Sequence, residues 1–111
     1  MIVRTWRARA TPVNARLYVA FFHRHLRPMF GAFQGHRGAL VLTRADDVVV
    51  EITVLTMWDS FDAIAAFAPD VDRAVVEDEA KNYLLSFDPV VQHHHCALDT
   101  RLGRAQTSPG I

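Results

Sequence analysis

The sequence predicts an α+β domain with a ferredoxin-like fold, in which an antiparallel sheet carries its helices on one face. Three observations indicate this fold. Strand-like segments lie near both ends of the chain, an apolar stripe at helical spacing follows the first of them, and a strand–turn–strand unit occupies the middle. Read in order, the elements are β-α-β-β-α-β, which is the order of the split βαβ unit.

The predicted elements follow one another with short connections. In chain order they are a strand over residues 2–9, a helix from Pro12 to about Pro28, a hairpin of strands over 39–44 and 48–58, a helix over 61–67, a helix over about 71–87, and a strand over 90–98. Thr11 suits the N-cap of the first helix and Pro12 its first turn. Pro28 is expected to end or kink that helix, because proline lacks the N–H that the helix interior needs.

Composition sets limits on the kind of protein this is. The 111 residues suffice for one domain, expected over residues 1–98, with a polar C-terminal tail over 99–111. Twelve basic and twelve acidic residues give zero net charge, which argues against a nucleic-acid partner. No apolar run reaches the roughly 18 residues of a membrane helix, and the single cysteine fits a reducing compartment. We therefore expect a soluble cytoplasmic protein.

The predicted third strand, residues 48–58, is apolar on both faces. Its even-numbered residues form one apolar face, and its odd-numbered residues form another that only Glu51 interrupts. The chain's own helices can cover one face. Leaving Leu, Met and Val exposed on the other would forgo about 1.5–3 kcal/mol for each side chain. A homodimer that packs sheet against sheet is the expected solution.

Several segments resemble the antibiotic biosynthesis monooxygenase family. They are MIVRTW, GHRGALVL, LTMWDSFDAIAAFA, DVDRAV and YLLSFDPVVQHH, and together they extend over residues 1–97. The resemblance implies a dimeric α/β barrel. The chain looks most like an uncharacterised branch, matching it at Trp6, at the Trp58-Asp59-Ser60 turn and at His93, whereas His94 stands where that branch has Tyr.

The family includes cofactor-independent oxygenases, haem-degrading oxygenases and enzymes of other chemistries. Haem-degrading members have an asparagine on the first strand and a haem-ligating histidine on the last helix. This chain has Trp6 or Arg7 at the first position and Val76 at the second, and it keeps only the tryptophan of the third strand, Trp58. The resemblance therefore implies no haem, and we expect no cofactor.

His93 is the candidate acid or base, because it occupies the family position. His93 and His95 share one strand face and His94 takes the other. They could equally be interface or rim histidines, and a metal site is not expected because further ligands are lacking. Trp58 is a candidate catalytic-site residue and Trp6 a candidate substrate-binding residue, each as a pocket wall, and each could instead be a core residue. Tyr18, Phe22 and Phe67 could complete an aromatic substrate-binding cavity, or could belong simply to the core.

Arg4 shares a strand face with Trp6, and a buried arginine needs a partner. It could stabilise an enolate or peroxide anion as a catalytic residue. It could also pair with Glu51 on a neighbouring strand, which is the simpler interpretation. Residues Glu77, Asp78 and Glu79 are expected on a solvated helix face.

These residues lead to one main hypothesis and two alternatives. The main hypothesis is a cofactor-independent monooxygenase-like enzyme that acts on a small, flat, aromatic or enolisable molecule. A base such as His93 would deprotonate the substrate, and the resulting carbanion would reduce dioxygen. The alternatives are a dimer that binds a small apolar ligand without turnover, and a lyase or isomerase on the same scaffold.

Overall fold

In the computed structural model, residues 1–101 are described. The strands and helices of this part of the chain are β1 (Ile2–Ala10), α1 (Pro12–Phe21), a π-helical turn (Phe22–Leu26), α2 (Arg27–Gly31), β2 (His36–Ala45), β3 (Val50–Trp58), α3 (Phe61–Phe67), α4 (Asp78–Lys81), β4 (Ser86–Phe87) and β5 (Gln92–His95). None of these helices is long and apolar enough to cross a membrane.

The strands form one antiparallel sheet in the order β2-β3-β1-β4, and β5 also pairs with β1. The pairing sets Ile2 opposite Trp58 and Ala10 opposite Val50, so β1 and β3 are in register along their full lengths. This is the strand order of the ferredoxin-like fold, and the predicted α+β fold is confirmed.

The first helix is continuous from Pro12 to Gly31 but contains a π-helical turn. Thr11 is its N-cap, because Thr11 Oγ1 accepts a hydrogen bond of 3.2 Å from the Asn14 N–H. The Arg27 N–H bonds to the Phe22 carbonyl, five residues back, which widens the helix just before Pro28. Pro28 follows directly in the first turn of α2, and the widened turn before it accommodates the proline within the helix. The helix is therefore interrupted near Pro28, as expected, and does not end there.

The long helix predicted over residues 71–87 does not form, and that prediction was wrong. Only Asp78–Lys81 is helical, and residues 74–77 have no regular structure. Arg73 forms a β-bridge with Val90, and the Ala74 N–H bonds to the Pro89 carbonyl at 2.9 Å. A helix over this segment would need its own N–H and carbonyl groups for helical hydrogen bonds. The Ala74 N–H and the Asp72 carbonyl are instead bonded to Pro89 and Val91.

The last strand is shorter and more broken than predicted. In place of one strand over residues 90–98, two short strands, β4 and β5, pair with successive parts of β1. Pro89 lies between them and has no N–H to donate to the ladder, which explains the interruption. The predicted polar tail lies mostly outside the described residues, because residues 102–111 are not among them.

The core lies between the sheet and the helices. The even-numbered residues of β3 face it, and Ile52, Trp58 and, from α3, Ile64 are its largest fully buried side chains. Ser60 caps α3 by accepting a hydrogen bond of 3.2 Å from the Ala63 N–H, which fixes α3 directly after β3. Trp58 and α3 are thereby held together at one end of the sheet.

Replacing Ile64 with Ala should lower the free energy of unfolding by about 2–5 kcal/mol, because a fully buried side chain leaves a cavity. Ile64→Val, which removes one methyl group, should cost about 1 kcal/mol. Urea denaturation followed by circular dichroism measures both. Equal stability of the two variants would show that α3 is not packed as described.

Candidate functional site

A small cavity lies between the sheet and the long helix. Its free volume is about 50 Å³, enough for a few water molecules. Five aromatic side chains line it, together with aliphatic side chains from the 74–77 segment. The aromatic residues are Trp6, Tyr18, Phe22, Phe30 and Phe67. All four residues predicted to bind substrate therefore line one cavity, joined there by Phe30.

The aromatic rings of the cavity support one another. The centroids of Trp6 and Tyr18 are 6.2 Å apart, and those of Tyr18 and Phe22 are 6.4 Å apart. The Trp6 indole N–H donates a 2.9 Å hydrogen bond to the Asp88 carbonyl. This bond fixes the indole at the side of the cavity, so that its ring contributes apolar surface with its polar atom satisfied.

Three residues with polar side chains accompany these rings in the lining, namely Arg4, Thr56 and Glu77. Glu77 is half-buried at the N-cap of α4, and burial raises the pKa of its carboxyl group. The prediction that Glu77 lies on a solvated helix face was wrong, whereas Asp78 and Glu79 are exposed as expected. The reason is that the predicted helix does not form. Residues 74–77 have no regular structure, and Glu77 lies in the lining of the cavity and not on a helix surface.

Tyr18 contributes a buried phenol to the same cavity. Burial raises its pKa, and the negative charge of Glu77 raises it further. The Tyr18 phenol therefore stays neutral and can serve only as a hydrogen-bond donor or acceptor near neutral pH. Among the polar cavity groups, the carboxyl of Glu77 is the one suited to take up a proton.

Arg4 is buried beneath the segment that closes the cavity. Its guanidinium donates hydrogen bonds to the backbone carbonyls of Val71 and Arg73, the latter at 2.8 Å. It also lies 5.9 Å from the centroid of the Phe67 ring, a cation–π distance. Burial lowers the pKa of Arg4 and the nearby Asp72 opposes that shift, but an arginine remains charged. This charge is therefore held at the cavity wall.

The expected pairing of Arg4 with Glu51 does not occur, and that interpretation was wrong. Glu51 is opposite Arg9 in the β1–β3 register, whereas Arg4 is opposite Thr56. Odd and even positions of a strand point to opposite faces. Arg4 and Glu51 are consequently on different sides of the sheet.

His93 contacts Arg4 and is not among the residues that line the cavity. Its Nε2 lies 3.0 Å from Arg4 Nη1, and its Nδ1 lies 3.9 Å from an Asp72 carboxylate oxygen. Because arginine can only donate, Nε2 is the acceptor and the imidazole is neutral. Burial and then the Arg4 charge lower the pKa of His93, which agrees with this assignment.

The other two histidines of the run take different environments. His95 shares a sheet face with His93 and its ring lies 6.1 Å from the ring of Phe61, while His94 lies on the opposite face. Across residues 1–101 no three His, Cys, Asp or Glu side chains are grouped closely enough to hold a metal ion.

Trp58 lies directly behind the cavity wall. It is fully buried, its indole N–H donates a 2.9 Å hydrogen bond to Thr56 Oγ1, and its ring stacks on Phe67 at 5.9 Å. Thr56 and Phe67 line the cavity, and Trp58 holds both of them. In this arrangement Trp58 supports the wall without forming its surface.

The free energy of unfolding should fall less between about pH 7 and about pH 5 in His93→Gln than in the wild type. In the folded state the pKa of His93 is lower than its ordinary value of 6.5. The neutral imidazole therefore stabilises the folded state above that value, and this stabilisation is lost as pH falls through the folded-state pKa. A glutamine oxygen can still accept from Arg4 but does not titrate. Urea unfolding at several pH values measures this, and the exposed His94→Gln is the matched control. If both variants kept the wild-type pH dependence, His93 would not be the group responsible.

A scan against protein-family models gives no match, and a search of the curated proteins also gives none. Among solved structures, the chain is similar to a Bacillus cereus protein that carries the provisional name antibiotic biosynthesis monooxygenase. The TM-score is 0.65 at 16% identity, over 90% of this chain and 96% of that chain. At this identity the likeness is one of fold. The chain thus has the fold of a protein named for the family that its sequence motifs resemble.

Proposed function

We propose that this protein is a cofactor-independent, monooxygenase-like enzyme that acts on a small, flat, enolisable organic molecule. One observation carries the proposal. A carboxyl group with a raised pKa, Glu77, and a buried guanidinium, Arg4, line the same aromatic cavity. A base and a cation in an apolar pocket are what proton abstraction next to a carbonyl or phenol requires.

Glu77 is the proposed base. A carboxylate with a raised pKa accepts a proton more readily than an ordinary surface carboxylate does, and its conjugate acid can return that proton later. The proposal assigns this role to Glu77 and not to His93, because Glu77 lines the cavity and the His93 Nε2 faces Arg4. The role proposed for His93 is to hold Arg4 in place.

Arg4 is the proposed stabiliser of the substrate anion. Three of its five N–H donors are engaged by Val71, Arg73 and His93, which leaves two without a partner in the described part of the chain. The three engaged donors fix the guanidinium before substrate binds. A fixed charge in a dry site stabilises a developing oxyanion without costly rearrangement.

The oxygen step balances without a further redox partner. Glu77 takes a proton from a CH₂ group of the substrate, and the carbanion transfers electrons to dioxygen and forms a C–O bond. The resulting peroxide anion recovers the proton from Glu77. Loss of the second hydrogen of that carbon with cleavage of the O–O bond then gives a carbonyl group and water. The substrate is oxidised, and dioxygen is reduced to water and the new carbonyl oxygen.

The cavity must widen to admit such a substrate. Its 50 Å³ is well below the roughly 300–1,000 Å³ of small-molecule sites. The part of its wall best able to move is the 74–77 segment, which has no regular structure. That segment is anchored at its ends by the Arg4 bonds to Val71 and Arg73 and by the helix α4.

Replacing Glu77 with Gln should reduce oxygen consumption with anthrone-like or quinol substrates by at least about 100-fold, because the base is lost while the shape is kept. The control is Glu79→Gln, an exposed position in the same helix. An oxygen electrode and analysis of products, with and without air, measure the effect.

Each other outcome of that experiment selects a different function. Equal turnover without oxygen would indicate the lyase or isomerase alternative. Tight binding of the panel without turnover would indicate a binding protein. Wild-type activity of Glu77→Gln would overturn the assignment of the base.

The proposal includes a homodimer formed through the sheet face opposite the helices. The β-register gives this face the apolar residues Val3, Leu40, Leu42, Leu55 and Met57. Leu40 and Leu42 lie on the outer strand β2 and are 48% and 46% exposed in the single chain. Burial of such a patch against a two-fold related copy removes it from water on both partners.

Replacing Leu42 with Glu should dissociate the dimer, because it places a charge in the apolar part of the proposed interface. Leu17→Glu is the matched control, since Leu17 is 47% exposed on α1 and not on the sheet. Sedimentation velocity of the wild type and both variants gives the masses. A monomeric wild type, or a dimer that survives Leu42→Glu and not Leu17→Glu, would contradict the interface.

The compartment that we propose is the cytoplasm. Cys96 is a free thiol whose Sγ lies 3.4 Å from the Leu98 carbonyl oxygen. A half-buried free thiol is compatible with a reducing environment, in which it remains unoxidised.

A further inference from the structure

An open trough runs between the long helix and the outer strand β2. We call it the edge trough, and its helix side is formed by Arg16, Val19, His23 and Arg27, while its strand side is formed by Ala39, Val41 and Thr43. It consists of two hollows of about 530 and 370 Å³ that share Val19. Both volumes fall in the range of small-molecule sites.

The trough exists because the strand side carries small residues. The β2–β3 register puts Ala39, Val41, Thr43 and Ala45 on the helix-facing side of β2. The corresponding side of β3 carries larger side chains and is buried. Since β2 is an edge strand, no further strand of the described chain covers this side. The small side chains on this side of β2 therefore leave the trough unfilled next to the packed core.

The basic residues of the trough are aligned along one side. Arg16, His23 and Arg27 are spaced seven and four residues apart along the helix, which puts them on one helix face. No acidic side chain is among the residues that line either hollow in the described chain. The trough is accordingly complementary to an anion.

The floor of the larger hollow is aromatic. Phe22 and Phe30 line both this hollow and the inner cavity, so they form the wall between the two sites. With Val19 and Val41 they give the larger hollow an apolar surface. A ligand with an apolar body would bury that surface.

His36 lines the same hollow. Its ring lies 5.2 Å from Phe30 and 4.9 Å from Trp58, so the imidazole extends the aromatic floor. Its Nδ1 is buried, so a ligand in the trough would contact the ring and not this nitrogen.

We propose that the edge trough binds an amphipathic carboxylate of the fatty-acid type. Its carboxylate would bind at Arg27 and His23, and its chain would extend past Val19 toward Arg16. Eleven residues of helix separate Arg16 from Arg27, about 16 Å at 1.5 Å per residue, which suits a medium-length acyl chain. This site is separate from the inner cavity, and the inference does not depend on the proposed enzymatic activity.

Titration of the full chain with dodecanoate and with 1-dodecanol, below their micelle or solubility limits, tests the site. We expect dodecanoate to bind about tenfold more tightly, because an arginine–carboxylate bond is charge-assisted. Amide chemical shifts in NMR spectra should change along β2 and along residues 16–31. Shifts confined to residues lining the inner cavity would overturn the assignment.

Three variants sharpen the test. Arg27→Gln should weaken dodecanoate binding by about five- to tenfold and leave dodecanol unchanged. The matched control is Arg24→Gln, which changes an exposed arginine of the same helix outside the trough. Gly31→Trp should abolish binding of both compounds, because Gly31 lines the trough and an added Cβ there meets no atom within 4 Å.

The opposite results would overturn the proposal. These are equal binding of acid and alcohol, equal behaviour of Arg27→Gln and Arg24→Gln, or no binding of dodecanoate at all. Thermal unfolding of Gly31→Trp shows whether that variant is folded. If it is not, the comparison of Arg27→Gln with Arg24→Gln decides the question alone.

Discussion

The buried guanidinium of Arg4 is the interaction on which the site depends. It extends from the central strand β1 and is bonded to the carbonyls of Val71 and Arg73, and it contacts the ring of His93 on β5. Three distant parts of the chain therefore meet at one charge. A buried charge is costly unless it is well solvated by polar groups, so the chain around it has little freedom to adopt another arrangement.

The shape of the cavity follows from that constraint. The carbonyls of Val71 and Arg73 accept from Arg4, and a helix through this segment would require them for its own bonds. Residues 74–77 consequently have no regular structure, and they line the cavity together with the aromatic rings. Glu77 is the last residue before α4, and it enters the cavity because the helix begins after it and not before.

The period-two pattern and the hairpin made the sheet predictable, since alternation in a strand is a local property of the chain. The cap at Thr11 and the helix α3 followed from the same local rules, whereas the grouping of Trp6, Tyr18, Phe22 and Phe67 followed from the fold in which these elements are arranged. The absence of a helix over residues 71–77 and the burial of Glu77 could not be predicted in this way, because both depend on a contact between Arg4 and residues some 70 positions away. The position of His93 beside Arg4 depends on the pairing of β5 with β1, which sets these two residues opposite each other.

The two rings shared by the inner cavity and the edge trough have a thermodynamic consequence. Phe22 belongs to the π-helical turn, and Phe30 belongs to α2, which follows that turn directly. Any ligand that pushes these rings enlarges one compartment at the expense of the other. Binding at the two proposed sites would then be negatively coupled. The coupling would be reciprocal, because a ligand in the trough would lower the affinity of the inner cavity by the factor by which a ligand in the inner cavity lowers that of the trough.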